Sequence, residues 1–188
     1  MIKEVMIDQK RLALTVAIGV ALFCISLTPA LVYAQNEAED ETSASVIVAS
    51  IFTLEVSPTY IDFGSITPGE WCETGTGSYD NEATCVSNNG RTWYLKVSAQ
   101  GPMLGAQDEI PLDSLKWSIY NTTGAGSVVG GWNSFSTSQT LSYTSAGDDD
   151  IGNEVDVRFK YALQAPSDTK SGAYDTTIKY TMTQSITE

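Results

Sequence analysis

Val155, Val157, Phe159, Tyr161 and Leu163 alternate with Asp156, Arg158, Lys160 and Ala162. A period of two sustained this long specifies a β-strand with one apolar face and one largely polar face, because successive side chains leave a strand on opposite sides. Tyr174, Thr176, Ile178, Tyr180 and Met182 repeat the pattern against Asp175, Thr177, Lys179, Thr181 and Thr183, and Trp93, Leu95 and Val97 repeat it against Tyr94, Lys96 and Ser98. The polar connection from Ala165 to Gly172 lies between the first two of these strands, so they are expected to form an antiparallel pair. Leu115 to Tyr120 and Thr140 to Tyr143 read as further strands, with Asn121 to Gly131 as a loop.

Val46 to Val56 is rich in β-branched residues and stops at Ser57-Pro58, which is strand chemistry. Tyr60 to Gly64, with Ile66, suggests a short second strand before the turn Thr67-Pro68-Gly69. No segment after residue 34 holds a helical apolar period over three turns. Short strands spaced by turn signals then imply an all-β chain, a single antiparallel β-sandwich of immunoglobulin-like type over residues 46–188.

The first 34 residues follow a different logic. Lys10 and Arg11 precede the uncharged run Leu12 to Leu27, and Val32-Tyr33-Ala34 supplies a small-residue cleavage site after Pro29. That layout is expected of a secretory signal peptide, cleaved after Ala34 or retained as an anchor. Residues 35–45 carry four acids and no large apolar side chain, the composition of a flexible acidic leader. Export places the protein outside the cytoplasm, as a secreted or cell-surface protein. There the two cysteines beyond residue 34, Cys72 and Cys85, are expected to form one disulfide.

The whole chain has 10 basic against 23 acidic residues and no His. The region after residue 34 keeps 7 basic and 21 acidic ones. Such an acidic balance disfavours nucleic acid as a partner, and nothing after signal cleavage calls for a membrane. Without His there is no His-based triad and no His-ligated zinc. No carboxylate spacing selects a catalytic pair, and no Gly-x-Ser-x-Gly elbow occurs. The expected role is therefore non-enzymatic, with no cofactor. Three features remain as candidates. Trp132, after Gly130-Gly131, together with Tyr143, would give a stacking surface for a sugar if the two were exposed together. Asp148, Asp150 and Glu154 offer oxygen ligands suited to calcium, or else form a solvated acidic turn. Asn121-Thr122-Thr123 is a glycosylation sequon.

The line from Phe52 to Gly69, FTLEVSPTYIDFGSITPG, followed by Asn88 to Ser98 and the closing Ser171 to Thr183, resembles WxL-domain bacterial cell-surface proteins. Trp93-Tyr94-Leu95 fits the first Trp-x-Leu motif of that family, and Tyr180-Thr181-Met182 stands at the second. The resemblance implies secretion and noncovalent attachment to the cell wall in a structural or adhesive role. The partner would be a cell-wall polymer, a glycan or a surface protein. The same pattern is similar to spore-coat U-like and fimbrial subunits, which implies an alternative: self-assembly by β-strand addition through residues 46–56. A carbohydrate-binding module is a third reading.

Overall fold

The computed structural model describes residues 40–74 and 79–186. The expected signal peptide lies outside the described residues. Of the leader, residues 40–45 are exposed and form no strand. The chain divides into two units, Met1–Val46 and Ile47–Glu188, and every strand among the described residues belongs to the second. In chain order these are β1 (Phe52–Ser57), β2 (Cys72–Glu73), β3 (Asn81–Ser87), β4 (Tyr94–Ala99), β5 (Met103–Gly105), β6 (Glu109–Ile110), β7 (Leu115–Thr122), β8 (Ser127–Val128), β9 (Asn133–Ser134), β10 (Thr140–Thr144), β11 (Glu154–Leu163), β12 (Tyr174–Asp175) and β13 (Ile178–Thr183). Two short 3-10 turns interrupt them, and no α-helix occurs among the described residues.

All the pairings among the described residues are antiparallel. The first sheet runs β1-β3-β11-β7-β9, with β2 also on β11; the second runs β13-β4-β10-β8; a small third runs β12-β5-β6. The mostly-β expectation therefore holds. The inward residues of β11 (Val155, Val157, Phe159, Tyr161, Leu163) and of β4 and its approach (Trp93, Leu95, Val97) are fully or almost fully buried in one core cluster with Trp117 and Tyr143. Phe159 of the first sheet meets Tyr180 of the second edge-on, with ring centroids 5.4 Å apart. Nearby, the Tyr161 hydroxyl donates to Asn81 Oδ1 (2.7 Å), Asn81 Nδ2 donates to the Tyr180 hydroxyl (2.9 Å), and the two hydroxyls touch. This polar cluster ties the two sheets together inside the core without leaving its own groups unpaired.

Three expectations need correction. The strands β11 and β13 do not pair: β13 hydrogen-bonds to β4, and the link between β11 and β13 crosses from one sheet to the other while contributing β12 to the third. Tyr60 to Ile66 forms no strand; Ile61, Phe63 and Ile66 pack half-buried against the core from a loop. Asn121 to Gly131 is not all loop, since β7 runs on to Thr122 and Ser127–Val128 forms β8.

The Cys72–Cys85 disulfide is a further correction, because both cysteines are free. Cys72 lies opposite Leu163 and Cys85 opposite Val155, along the same side of β11. Eight residues of strand separate those positions, roughly 26 Å. A disulfide requires Cα atoms within about 7 Å.

Burial has a measurable consequence at high pH. It pushes the Cys85 thiol up to about 12, with Asp156 adding to the shift. Burial also raises the Tyr143, Tyr161 and Tyr180 hydroxyls above their ordinary range. In the unfolded chain such thiols and phenols titrate near about 8.5 and 10. Above those values the unfolded state sheds protons that the folded state keeps, so stability falls as pH rises. The contribution is intact below about pH 8.5 and is lost towards about pH 12. Urea midpoints at pH 8 and pH 10.5 should show a clear drop at the higher pH. Equal midpoints would contradict the burial of these groups.

Candidate functional site

The outward face of the first sheet is built by the same alternation that builds the core. Directly opposed residues in a sheet point to the same side. One row across four strands therefore reads Glu73, Ala162, Lys116, Ser134. Lys160 lies opposite Ser118, and Arg158 lies between Glu82 and Asn121. Of the seven basic residues after position 34, three (Lys116, Arg158 and Lys160) share this face of an otherwise acidic protein.

Four aromatic side chains stand on or beside it, each between 38% and 45% exposed: Trp71, Tyr79, Tyr120 and Trp132. Trp71 directly precedes β2 and Trp132 directly precedes β9. Those strands flank β11 and β7, three inter-strand spacings apart, or roughly 14 Å. The two indoles nevertheless meet edge to face with centroids 5.6 Å apart. They must reach towards each other across the sheet, over the row that contains Ala162. Ala162 points outward yet has no exposed surface, as a cover of this kind requires. The Trp71 indole N–H donates to Glu73 Oε1 at 2.8 Å, which fixes one ring of the pair.

A few residues back along β11 the arrangement repeats with tyrosines. Tyr79 and Tyr120 lie 6.5 Å apart, centroid to centroid. The Arg158 guanidinium sits 5.1 Å from the Tyr79 ring and the Lys160 ammonium 4.8 Å from the Tyr120 ring, within cation–π range. Arg158 is already matched, by Glu82 at 2.5 Å and Asp156 at 3.2 Å. Lys160 forms no ion pair among the described residues. The face thus offers a hydrophobic indole pair, a tyrosine pair and an unneutralised ammonium within one short stretch of sheet.

The residues singled out from the sequence are distributed differently from expectation. Trp132 is on this face, but Tyr143 is not: it is fully buried beneath Trp93, and its hydroxyl donates to Asp149 at 2.5 Å. Trp71 takes the place expected of Tyr143. Of the motif positions, Leu95 and Met182 are direct partners on β4 and β13. Trp93 and Leu95 are wholly buried, and the Trp93 indole N–H donates to the Asp149 carbonyl at 3.0 Å. Tyr180 and Met182 pack half-buried against the core.

Asp148, Asp150 and Glu154 do not converge, and no group of three acidic or other ligating side chains suited to a metal occurs among the described residues. Their neighbour Asp149 is the buried one. Besides the Tyr143 hydroxyl, its carboxylate accepts the backbone N–H groups of Ala125 (2.9 Å), Gly126 (3.1 Å) and Ala146 (3.0 Å). A side chain at Gly124 or Gly126 would overlap the Tyr143 hydroxyl, so this close approach requires glycine. Asp149 is thereby the anchor of the turn between β7 and β8.

Comparison with protein-family models, with curated proteins and with solved structures finds no match.

The acidic turn generates a sharp expectation. Asp149→Ala strands the Tyr143 hydroxyl proton and the Ala125 and Ala146 N–H groups, while the Gly126 N–H keeps the Tyr143 oxygen at 2.8 Å, and should cost about 3–5 kcal/mol. Asp148→Ala and Asp150→Ala should each stay within about 0.5 kcal/mol. Urea unfolding of the three variants checks this; equal effects at all three positions would contradict the assigned anchor.

Proposed function

We propose that the chain is a non-enzymatic, exported cell-surface protein, an immunoglobulin-like β-sandwich that holds a glycan chain or cell-wall polymer on the outward face of its first sheet. The observation that carries this reading is the Trp71–Trp132 pair, which keeps two indoles together and half-exposed on a rigid sheet. A protein gains no stability from leaving such rings exposed, and aromatic anchors of this kind supply binding energy at low entropic cost. Sugar rings present flat C–H surfaces to such rings and hydroxyls to flanking polar groups. Glu73, Lys116 and Lys160 supply those polar groups here. Two sheets sharing one core support the sandwich type, and the Lys10 to Ala34 layout supports export.

The structural or adhesive role follows from an extended, open face along which a polymer can run. Noncovalent retention at the wall would then come from this face. The buried Trp93 and Leu95 would serve the core of the domain.

Binding to purified cell-wall polysaccharide and to a panel of immobilised glycans tests the reading. Trp132→Ala and Tyr120→Ala should weaken retention about tenfold or more. Lys170→Ala, away from this face, should leave it unchanged. Equal binding by the Trp132→Ala variant and the unsubstituted protein would refute the assigned surface.

A further inference from the structure

The alternation that builds the outward face of the first sheet also sets two of its lysines close together. Lys160 lies opposite Ser118 and Ala162 opposite Lys116. The two lysines therefore hold diagonal positions on neighbouring strands, with β-carbons roughly 7–8 Å apart. Both are half-buried. The two ion pairs among the described residues belong to Arg158, so neither lysine has a carboxylate. The Lys116 ammonium donates to the Ser134 hydroxyl (3.1 Å), and the Lys160 ammonium rests on the Tyr120 ring.

The acids of this part of the sheet are committed elsewhere. Glu73 accepts the Trp71 indole N–H, Glu82 and Asp156 hold Arg158, and Asp80 accepts the Tyr161 backbone N–H (3.0 Å) and the Thr74 hydroxyl. After residue 34 the chain has 21 acids and 7 bases, yet here it leaves two positive charges side by side. They repel each other until an anion comes between them.

Aromatic rings bracket this pair. On one side, the Trp71–Trp132 pair spans the row that contains Lys116. On the other, Arg158 lies opposite Asn121 and Phe159 opposite Ile119, which makes Tyr120 the extra residue of a bulge in β7. Bulges re-aim a side chain, and this one turns Tyr120 beneath Lys160. Four residues of strand separate Lys116 from Tyr120, roughly 13 Å.

We propose that the polymer held on this face is an acidic glycan: its carboxylate or phosphate groups sit between Lys116 and Lys160, and the adjoining sugar rings stack on the Trp71–Trp132 pair and on Tyr120. The proposal rests on the glycan-binding reading and narrows it to a ligand class. An anionic oxygen between the lysines accepts charge-assisted hydrogen bonds from both ammoniums, which are stronger than those to a neutral hydroxyl. The acidic remainder of the surface repels such a chain, so attraction is confined to this face.

Titration calorimetry with polygalacturonate, with poly(glycerol phosphate) and with carboxyl-reduced, neutral polygalacturonate tests this. At low salt an acidic polymer should bind about tenfold or more tighter than the neutral one, and added salt should shrink that margin. Which acidic polymer binds tells carboxylate from phosphate as the source of the charge. The Lys116→Gln/Lys160→Gln protein should lose the margin and keep its affinity for the neutral polymer, which shows the face intact. Lys116→Arg/Lys160→Arg should retain the margin. Lys170→Gln/Lys179→Gln, which removes the same charge from other surfaces, should change nothing. Three results would overturn the inference and leave the glycan-binding reading standing: equal binding of acidic and neutral polymers, a margin that survives Lys116→Gln/Lys160→Gln, or one that falls equally in Lys170→Gln/Lys179→Gln. Failure of the reading itself looks different: no polymer binds, or Trp132→Ala leaves the affinity for all three unchanged.

Discussion

The register of β11 is the constraint on which the rest of the structure depends. Its odd-numbered residues from Val155 to Leu163 are buried in the core, while Asp156, Arg158, Lys160 and Ala162 face outward. A slip of one residue would drive a guanidinium and an ammonium into the core and expose Phe159 and Tyr161. The cost of burying those charges makes the register unambiguous. Because β11 lies between β3 and β2 on one side and β7 on the other, its register also aligns Glu73, Lys116, Tyr79 and Tyr120 around the outward face. Core and proposed binding face are thus two readings of one alternation.

Much of this was legible along the chain. Alternation marks β4, β11 and β13, and short apolar runs mark β7 and β10, because a half-buried strand needs only local sequence to declare its faces. Partner choice is not local. The polar link from Ala165 to Gly172 reads as a hairpin connection, yet it carries the chain between sheets, since β4 offers β13 a buried neighbour that β11, already paired on both sides, cannot. Likewise Tyr60 to Ile66 has apolar residues but is punctuated by Gly64 and Pro68, and it packs as a loop.

The candidate site was legible only in part, for the same reason. Trp132 could be singled out by its place after two glycines, but its partner Trp71 is distant in sequence and is brought close by the β2–β11–β7–β9 order. Tyr143 sits in a strand whose alternation permits either face, and the buried Asp149 decides it. Within the run Asp148-Asp149-Asp150 nothing local marks the middle residue as the anchor. The cysteines mislead because compartment and number argue for a bond that strand register forbids. The one local signal for the outward face was the pair Arg158 and Lys160, basic residues at alternate positions in a strongly acidic chain.

Accessibility of single cysteines placed along β11 tests the central claim most directly. In a Cys72→Ser background, cysteine at each position from 156 to 161 would be alkylated in the native protein and the rates compared. The structure requires alternation: fast labelling at 156, 158 and 160, and protection at 157, 159 and 161 until the protein unfolds. Labelling that failed to alternate, or that alternated in the opposite phase, would contradict both the core and the face assigned to this strand.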